Sequence, residues 1–169
     1  MRVVCPGSFD PITLGHVDII ERAAACFSEV IVAVAQNSAK NHMFEPAERV
    51  ELVEVAVGHL PNVSVHALSG LLVDFCVAHD ASALVKGVRT AGDYEYEAQM
   101  AQWNRTLKGI ETLLVPTAPQ WSYLSSTKVR EVATLGGDVR AYVPAAVADR
   151  IRTWLAERPV GRGKEPGDG

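Results

Sequence analysis

The chain has 169 residues, 48% hydrophobic and 21% charged, with 16 Lys and Arg against 20 Asp and Glu for a formal net charge of −4. That length makes one domain burying roughly 70% of its unfolded surface, and no apolar run approaches the roughly 18 residues of a membrane span. The acidic balance argues against a nucleic-acid surface, which needs a basic face, and leaves room for a small anionic ligand held by a local cluster of Lys and Arg.

Met1 to Cys5 is too short a lead before Pro6-Gly7 for a secretion signal, so a cytoplasmic protein is expected. Cys5, Cys26 and Cys76 are odd in number, form no CxxC pair and lie in apolar stretches. They argue against a disulfide framework and a zinc site and read as small core residues.

In chain order, the first apolar run, Arg2 to Cys5, predicts a strand. The following segment, Pro6-Gly7-Ser8-Phe9-Asp10-Pro11-Ile12-Thr13-Leu14-Gly15-His16, reads as a turn entering a helix. Such a turn presents backbone N–H groups and a helix N-terminus, which together make a seat for phosphate. Thr13 reads as the N-cap, which places His16 in the first helical turn, able to donate to an anionic oxygen at the same mouth. A solvated first-turn histidine is the ordinary alternative.

The helix predicted over Leu14 to Phe27 carries an apolar stripe of Val17, Ile20, Ala24 and Phe27. A strand over Val30 to Ala35 leads into the polar loop that holds Lys40, then a helix over Pro46 to Leu60 with Val50, Val53 and Val57 on one face. A strand over Val63 to Leu68 precedes a helix over Leu71 to His79, in which Leu72 reads as core. The strand over Ala83 to Val88 closes on Lys86-Gly87-Val88-Arg89, two cations flanking a glycine that permits close backbone approach. That suits a polyphosphate, or a strand fraying into solvent.

A helix over Asp93 to Leu107 opens with acidic residues, Glu97 among them, as its dipole favours. After a fifth strand, Thr112 to Pro116, comes Trp121-Ser122-Tyr123-Leu124-Ser125-Ser126-Thr127-Lys128-Val129-Arg130. Three hydroxyls at a helix start exceed what a cap requires and offer a second phosphate seat. Ser125-x-x-Lys128 also matches the tetrad of penicillin-binding serine hydrolases, but neither SDN nor KTG accompanies it. Helices over Ser125 to Leu135 and Pro144 to Glu157 follow, and residues 158–169 read as a disordered tail.

Alternating strands and helices predict an α/β fold over residues 1–157: a single-domain, Rossmann-like, doubly wound five-stranded parallel sheet with helices on both faces and C-terminal helices. Its ligand crevice belongs at the carboxyl ends of the strands, where the strand order reverses. HExxH, P-loop and GxGxxG motifs are missing, which argues against zinc proteases, P-loop NTPases and dinucleotide dehydrogenases.

Thr13-Leu14-Gly15-His16 after Gly7-Ser8-Phe9-Asp10-Pro11 resembles the (H/T)xGH motif of the nucleotidyltransferase superfamily, and the hydroxyl run is similar to its ISSTxxR-type motif. The surrounding words resemble the bacterial phosphopantetheine adenylyltransferases, of the actinobacterial kind given Val85-Lys86-Gly87 and Thr117-Ala118-Pro119. The resemblance implies transfer of AMP from ATP to 4′-phosphopantetheine, with Mg²⁺ accompanying ATP through phosphates and waters and no metal ligands from the protein. It also implies His16 as transition-state stabiliser, joined in catalysis by Lys40 and Arg89. It places ATP against Ser8, Phe9, Gly87, Val88, Arg89, Glu97, Trp121, Ser122, Tyr123, Leu124, Ser125, Ser126 and Thr127, and the acceptor against Ser8, Lys40, Leu72 and Lys86. Many family members have arginine where this chain has Lys86, which keeps the charge and loses the bidentate fork. Coenzyme A as a feedback inhibitor and a homohexamer are further implications. The alternatives carried are a nicotinate or nicotinamide mononucleotide adenylyltransferase and a non-catalytic nucleotide-binding module.

Overall fold

The computed structural model describes residues 1–36 and 42–157, so Lys40 and the expected tail lie outside the described residues. The elements in order are β1 (Arg2–Gly7), α1 (Leu14–Cys26), β2 (Glu29–Ala35), α2 (Pro46–Val57), β3 (Val63–Leu68), α3 (Leu72–Ala78), β4 (Ala83–Val88), α4 (Ala91–Lys108), β5 (Glu111–Pro116), α5 (Ser126–Thr134) and α6 (Ala145–Glu157). A 3-10 turn at Pro119–Trp121 leads toward α5.

The five strands form one parallel sheet in the order β3-β2-β1-β4-β5. Each strand is read twice, because successive side chains point to opposite faces. Val3, Cys5, Val30, Val32, Val34, Ala83 and Val85 pack with residues of α1, α2, α5 and α6 in one core. The intervening Val4, Ile31, Ala33 and Leu84 pack with Val73 and Cys76 of α3 in a second. The near-continuous Val/Ile runs are what a sheet covered on both faces requires. The doubly wound arrangement expected from the alternation is the one observed.

β1 positions the site. It pairs with β2 in register from Arg2↔Glu29 to Gly7↔Val34, but with β4 only at Val3↔Ala83 and Val4↔Leu84. β4 meanwhile pairs with β5 out to Val88↔Pro116. Pro6 has no N–H to give to a second neighbour. The two central strands therefore part toward their carboxyl ends, where the strand order reverses.

Two expectations need correction. α4 begins at Ala91 rather than Asp93, because Thr90 is extended and its side chain accepts from the Asp93 N–H, which makes Thr90 the cap. Of the three cysteines only Cys5 and Cys76 are core residues; Cys26 ends α1 and is exposed. Burial pushes the Cys5 thiol up to about 12 and the Cys76 thiol up to about 11. Of the three thiols in the chain, only Cys26 is expected to react with a disulfide reagent under native conditions, and all three after denaturation. A thiol count on native and denatured protein checks this.

Candidate active site

A cavity of about 360 Å³ opens between the parted ends of β1 and β4, within the range of small-molecule sites. Ser8, Phe9, His16, Lys86, Gly87, Arg89, Glu97, Trp121, Leu124, Ser125, Ser126 and Thr127 all line it. Both phosphate seats read from the sequence thus face one space. Val88, Ser122, Tyr123 and Leu72 are not among the lining residues. Leu72 packs against the second core instead, and Tyr123 is 65% exposed beside Tyr142.

The β1–α1 turn is built around its cap. Thr13 is extended and its side chain accepts from His16 N–H, while His16 Nδ1 accepts from Thr13 N–H at 3.0 Å, the reciprocal arrangement of a capping box. Because a backbone N–H is always a donor, Nδ1 is the unprotonated nitrogen and the proton of the neutral ring sits on Nε2. Burial lowers the His16 pKa from 6.5 to about 4, with the charges of Arg89 and Lys86 adding to it. The ring is therefore a neutral, fixed N–H donor at the cavity wall, held edge-on by Phe9 at 5.2 Å.

The α5 side is tied to this turn directly. Ser126 Oγ donates to the Pro11 carbonyl at 2.7 Å, across 115 residues of chain. Arg130 Nη1 donates to the Asp10 carbonyl and lies 3.6 Å from the Asp10 carboxylate. Arg89 Nη1 donates to the Leu124 carbonyl at 3.0 Å, joining the end of β4 to the same segment. Ser125 caps α5, its side chain accepting from Lys128 N–H.

The cations expected to meet phosphate are held by carboxylates. Lys86 Nζ lies 2.9 Å from Glu97 Oε1, and Arg89 donates through Nε and Nη2 to the two Asp93 oxygens. Burial raises the Asp93 carboxyl, but hydrogen bonds and charge from Arg89 outweigh it and hold the pKa below the usual value. Gly87 answers to packing: a Cβ there would come within 3.0 Å of the Ile19 side chain on α1.

Thr13 is the N-cap expected from the sequence, whereas Asp10 and His42 were given no role there and Arg130 none beyond its place in the motif. Asp10 is 2% exposed and accepts from Met43 N–H at 2.8 Å and Phe44 N–H at 2.9 Å, with His42 Nδ1 3.4 Å away. One carboxylate so ties the β1–α1 turn, the approach to α2 and α5 together. Its signal was an acidic residue between Phe9 and Pro11 in a turn otherwise apolar or small.

A cytidylyltransferase-like family model matches residues 4–132. A phosphopantetheine adenylyltransferase of Nocardioides sp. is 53% identical over 155 residues, covering 92% of this chain and 98% of that protein. The chain belongs to the phosphopantetheine adenylyltransferase family. It is a nucleotidyltransferase, and the Nocardioides relative is consistent with the actinobacterial expectation. A lipopolysaccharide core biosynthesis protein from Thermoplasma volcanium shares the fold, with a TM-score of 0.53 at 23% identity over 70% of this chain and 96% of that one.

Two predictions follow from the geometry of this adenylyltransferase site. His16 is expected to titrate near pH 4, with Nδ1 bare and Nε2 protonated at neutral pH, which ring-nitrogen NMR reads directly. Its folded pKa lies below its unfolded one, so the unfolded chain binds the proton first. Stability attributable to this group is full above pH 6.5 and falls as pH drops toward about 4. Asp10→Ala would strand two buried N–H groups and the Arg130 charge, lowering unfolding free energy by about 3 kcal/mol or more in urea denaturation.

Proposed function

We propose that the protein transfers AMP from ATP to the phosphate of 4′-phosphopantetheine, giving dephospho-coenzyme A and pyrophosphate. The observation that carries this reading is the 2.7 Å bond from Ser126 to Pro11, which seats the histidine turn and the hydroxyl run on one cavity. The nucleotidyltransferase family membership gives that cavity its chemistry.

A phosphate nucleophile is already anionic, so the reaction needs no general base and no covalent intermediate. The acceptor oxygen attacks the α-phosphorus, the bond to the pyrophosphate oxygen breaks in line, and pyrophosphate leaves. Rate then comes from alignment and from donors aimed where charge develops. His16 Nε2–H donates to an α-phosphate oxygen. The Ser8 and Phe9 backbone, with Lys86, holds the reactants in line. Arg89 and the Ser125, Ser126 and Thr127 hydroxyls receive the leaving pyrophosphate. Lys40 belongs on the acceptor side by family resemblance.

Mg²⁺ enters as part of the nucleotide substrate. The carboxylates lining the cavity are Asp10 and Glu97, and each is already engaged by N–H groups or a cation. Among the described residues no cluster of three metal-ligating side chains exists. That donor set fits a magnesium–triphosphate complex better than a protein cage.

Coenzyme A carries both the adenylyl and pantetheine halves of the product, so it competes for the same cavity as an inhibitor. The protein acts in the cytoplasm on small molecules, without nucleic acid or membrane. Its assembly is a homohexamer; Tyr96, Met100, Trp103 and Leu107 stand on one face of α4, 38% to 63% exposed, and give copies an apolar surface to share.

The test is pyrophosphate release from ATP with phosphopantetheine or nicotinate mononucleotide as acceptor. Turnover with phosphopantetheine alone is expected, and turnover with the mononucleotide alone refutes the assignment. His16→Ala is expected to lower kcat by about a hundredfold or more while ATP affinity stays within a few fold. Equal losses in affinity and rate would make His16 a binding residue only.

A further inference from the structure

Arg49 lies on α2 and is completely buried, yet it is not among the residues lining the cavity. It forms no carboxylate ion pair among the described residues, and burial pulls its pKa below the ordinary guanidinium value despite the nearby Asp10 and Glu45 charges. A single nitrogen, Nη1, makes its bonds: it donates to the Ser8 carbonyl at 2.6 Å and to the Ala35 carbonyl at 2.8 Å. Nε and Nη2 are buried without a hydrogen-bond partner among the described residues. As a stabilising device this is poor, because a desolvated cation with two idle nitrogens is commonly outperformed by an apolar side chain of equal volume.

The two carbonyls explain the expense. Ser8 follows the end of β1 and Ala35 ends β2, so Arg49 pins the start of the phosphate-binding turn to the neighbouring strand. The Ser8–Phe9 peptide is trans, since among the described residues the cis bond is Asp10–Pro11. In a trans peptide C=O and N–H point in opposite directions. Drawing the Ser8 carbonyl toward α2 therefore turns the Phe9 N–H the other way. The cost appears at Phe9 itself, an aromatic residue with φ of +48°, in a region that side chains rarely adopt. Its ring is locked in place: it is 4% exposed and lies so close to Gly7 that a Cβ there would meet it at 2.9 Å.

We propose that Arg49 is a positioning residue that aims the Phe9 amide of the β1–α1 turn at the phosphates of the bound nucleotide. The proposal rests on the functional reading above only in taking that turn as the nucleotide's phosphate seat. Arg49 touches no reacting atom and acts through the backbone it holds.

The experiment compares wild type, Arg49→Met and Arg49→Lys by calorimetric binding of inorganic pyrophosphate and ATP, by kcat and KM for both substrates, and by urea denaturation. Arg49→Met is expected to fold with a midpoint near that of wild type, to bind pyrophosphate and ATP about tenfold more weakly, and to leave the phosphopantetheine KM within about threefold. Arg49→Lys, which keeps a charged donor, is expected to recover part of the loss. Unchanged pyrophosphate affinity in folded Arg49→Met overturns the proposal, as does an equal rise in KM for both substrates that tracks lost stability. If Arg49→Met does not fold, Arg49→Lys decides: its shorter reach must weaken pyrophosphate binding, and wild-type affinity overturns the idea. Wild-type protein that binds pyrophosphate without turning over phosphopantetheine refutes the proposed reaction and leaves the Arg49 comparison intact. Wild-type protein that fails to bind pyrophosphate refutes both.

Discussion

β1 sits between β2 and β4 but keeps only one of them as a partner along its length, since pairing with β4 stops after Val4 while pairing with β2 runs on to Gly7. Had both ladders continued, the two backbones would run hydrogen-bonded side by side, about 4.8 Å apart, through the place where the cavity opens. Pro6 makes the parting inexpensive because it has no N–H to leave without a partner. The reversal of strand order supplies the place and the broken ladder supplies the opening. Ser8, Phe9 and His16 follow β1 on one bank, and Lys86, Gly87 and Arg89 stand at the end of β4 on the other.

Two banks need a bridge, and α5 provides it. Ser126 and Arg130 both bond to carbonyls of the β1–α1 turn, at Pro11 and Asp10, while Arg89 at the end of β4 bonds to the Leu124 carbonyl just ahead of α5. These are side-chain donors to backbone acceptors, so they fix the path of the chain rather than the position of one flexible tip. Asp10 adds the third connection, to the Met43 and Phe44 amides before α2. For the reaction proposed above, whose acceleration would rest on alignment, small displacements of the walls would be costly in rate, and this density of ties suits it.

The local signals in the sequence were strong, and the structure shows why. Near-continuous apolar runs marked β1 and β2, which are covered on both faces, while the edge strands β3 and β5 were legible from valine and leucine despite Ser64, His66 and Thr112 among them. Thr13 and Ser125 marked helix starts because capping is decided within three residues. Thr90 caps α4 by the same rule, two residues past the end of β4 at Val88. What stayed hidden depends on partners far apart in the chain. Asp10 meets Phe44 across 34 residues and Arg130 across 120, and Arg49 meets Ser8 across 41. Arg49 in particular looks like any helix-surface arginine until burial is known. Cys26 misled for the opposite reason: an apolar neighbourhood in sequence became an exposed helix end.

The charge state of His16 completes the electrostatic logic. Arg89 and Lys86 already place two cations at the mouth, each partly offset by a carboxylate, Asp93 and Glu97. A third positive charge would be starved of solvent in this buried place and then repelled by both, which is why the imidazole pKa falls. The neutral ring costs nothing to keep in place and still offers Nε2–H, because the Thr13 amide fixes the tautomer through Nδ1. Long-range attraction for a polyphosphate and short-range hydrogen bonding to one of its oxygens are so assigned to different side chains. Under the proposed function the cations would draw the anion in and balance it in the ground state. In the reaction proposed above, the imidazole, whose direction the Thr13 amide already sets, is the donor that would respond to charge growing on a single oxygen as the bond to pyrophosphate breaks.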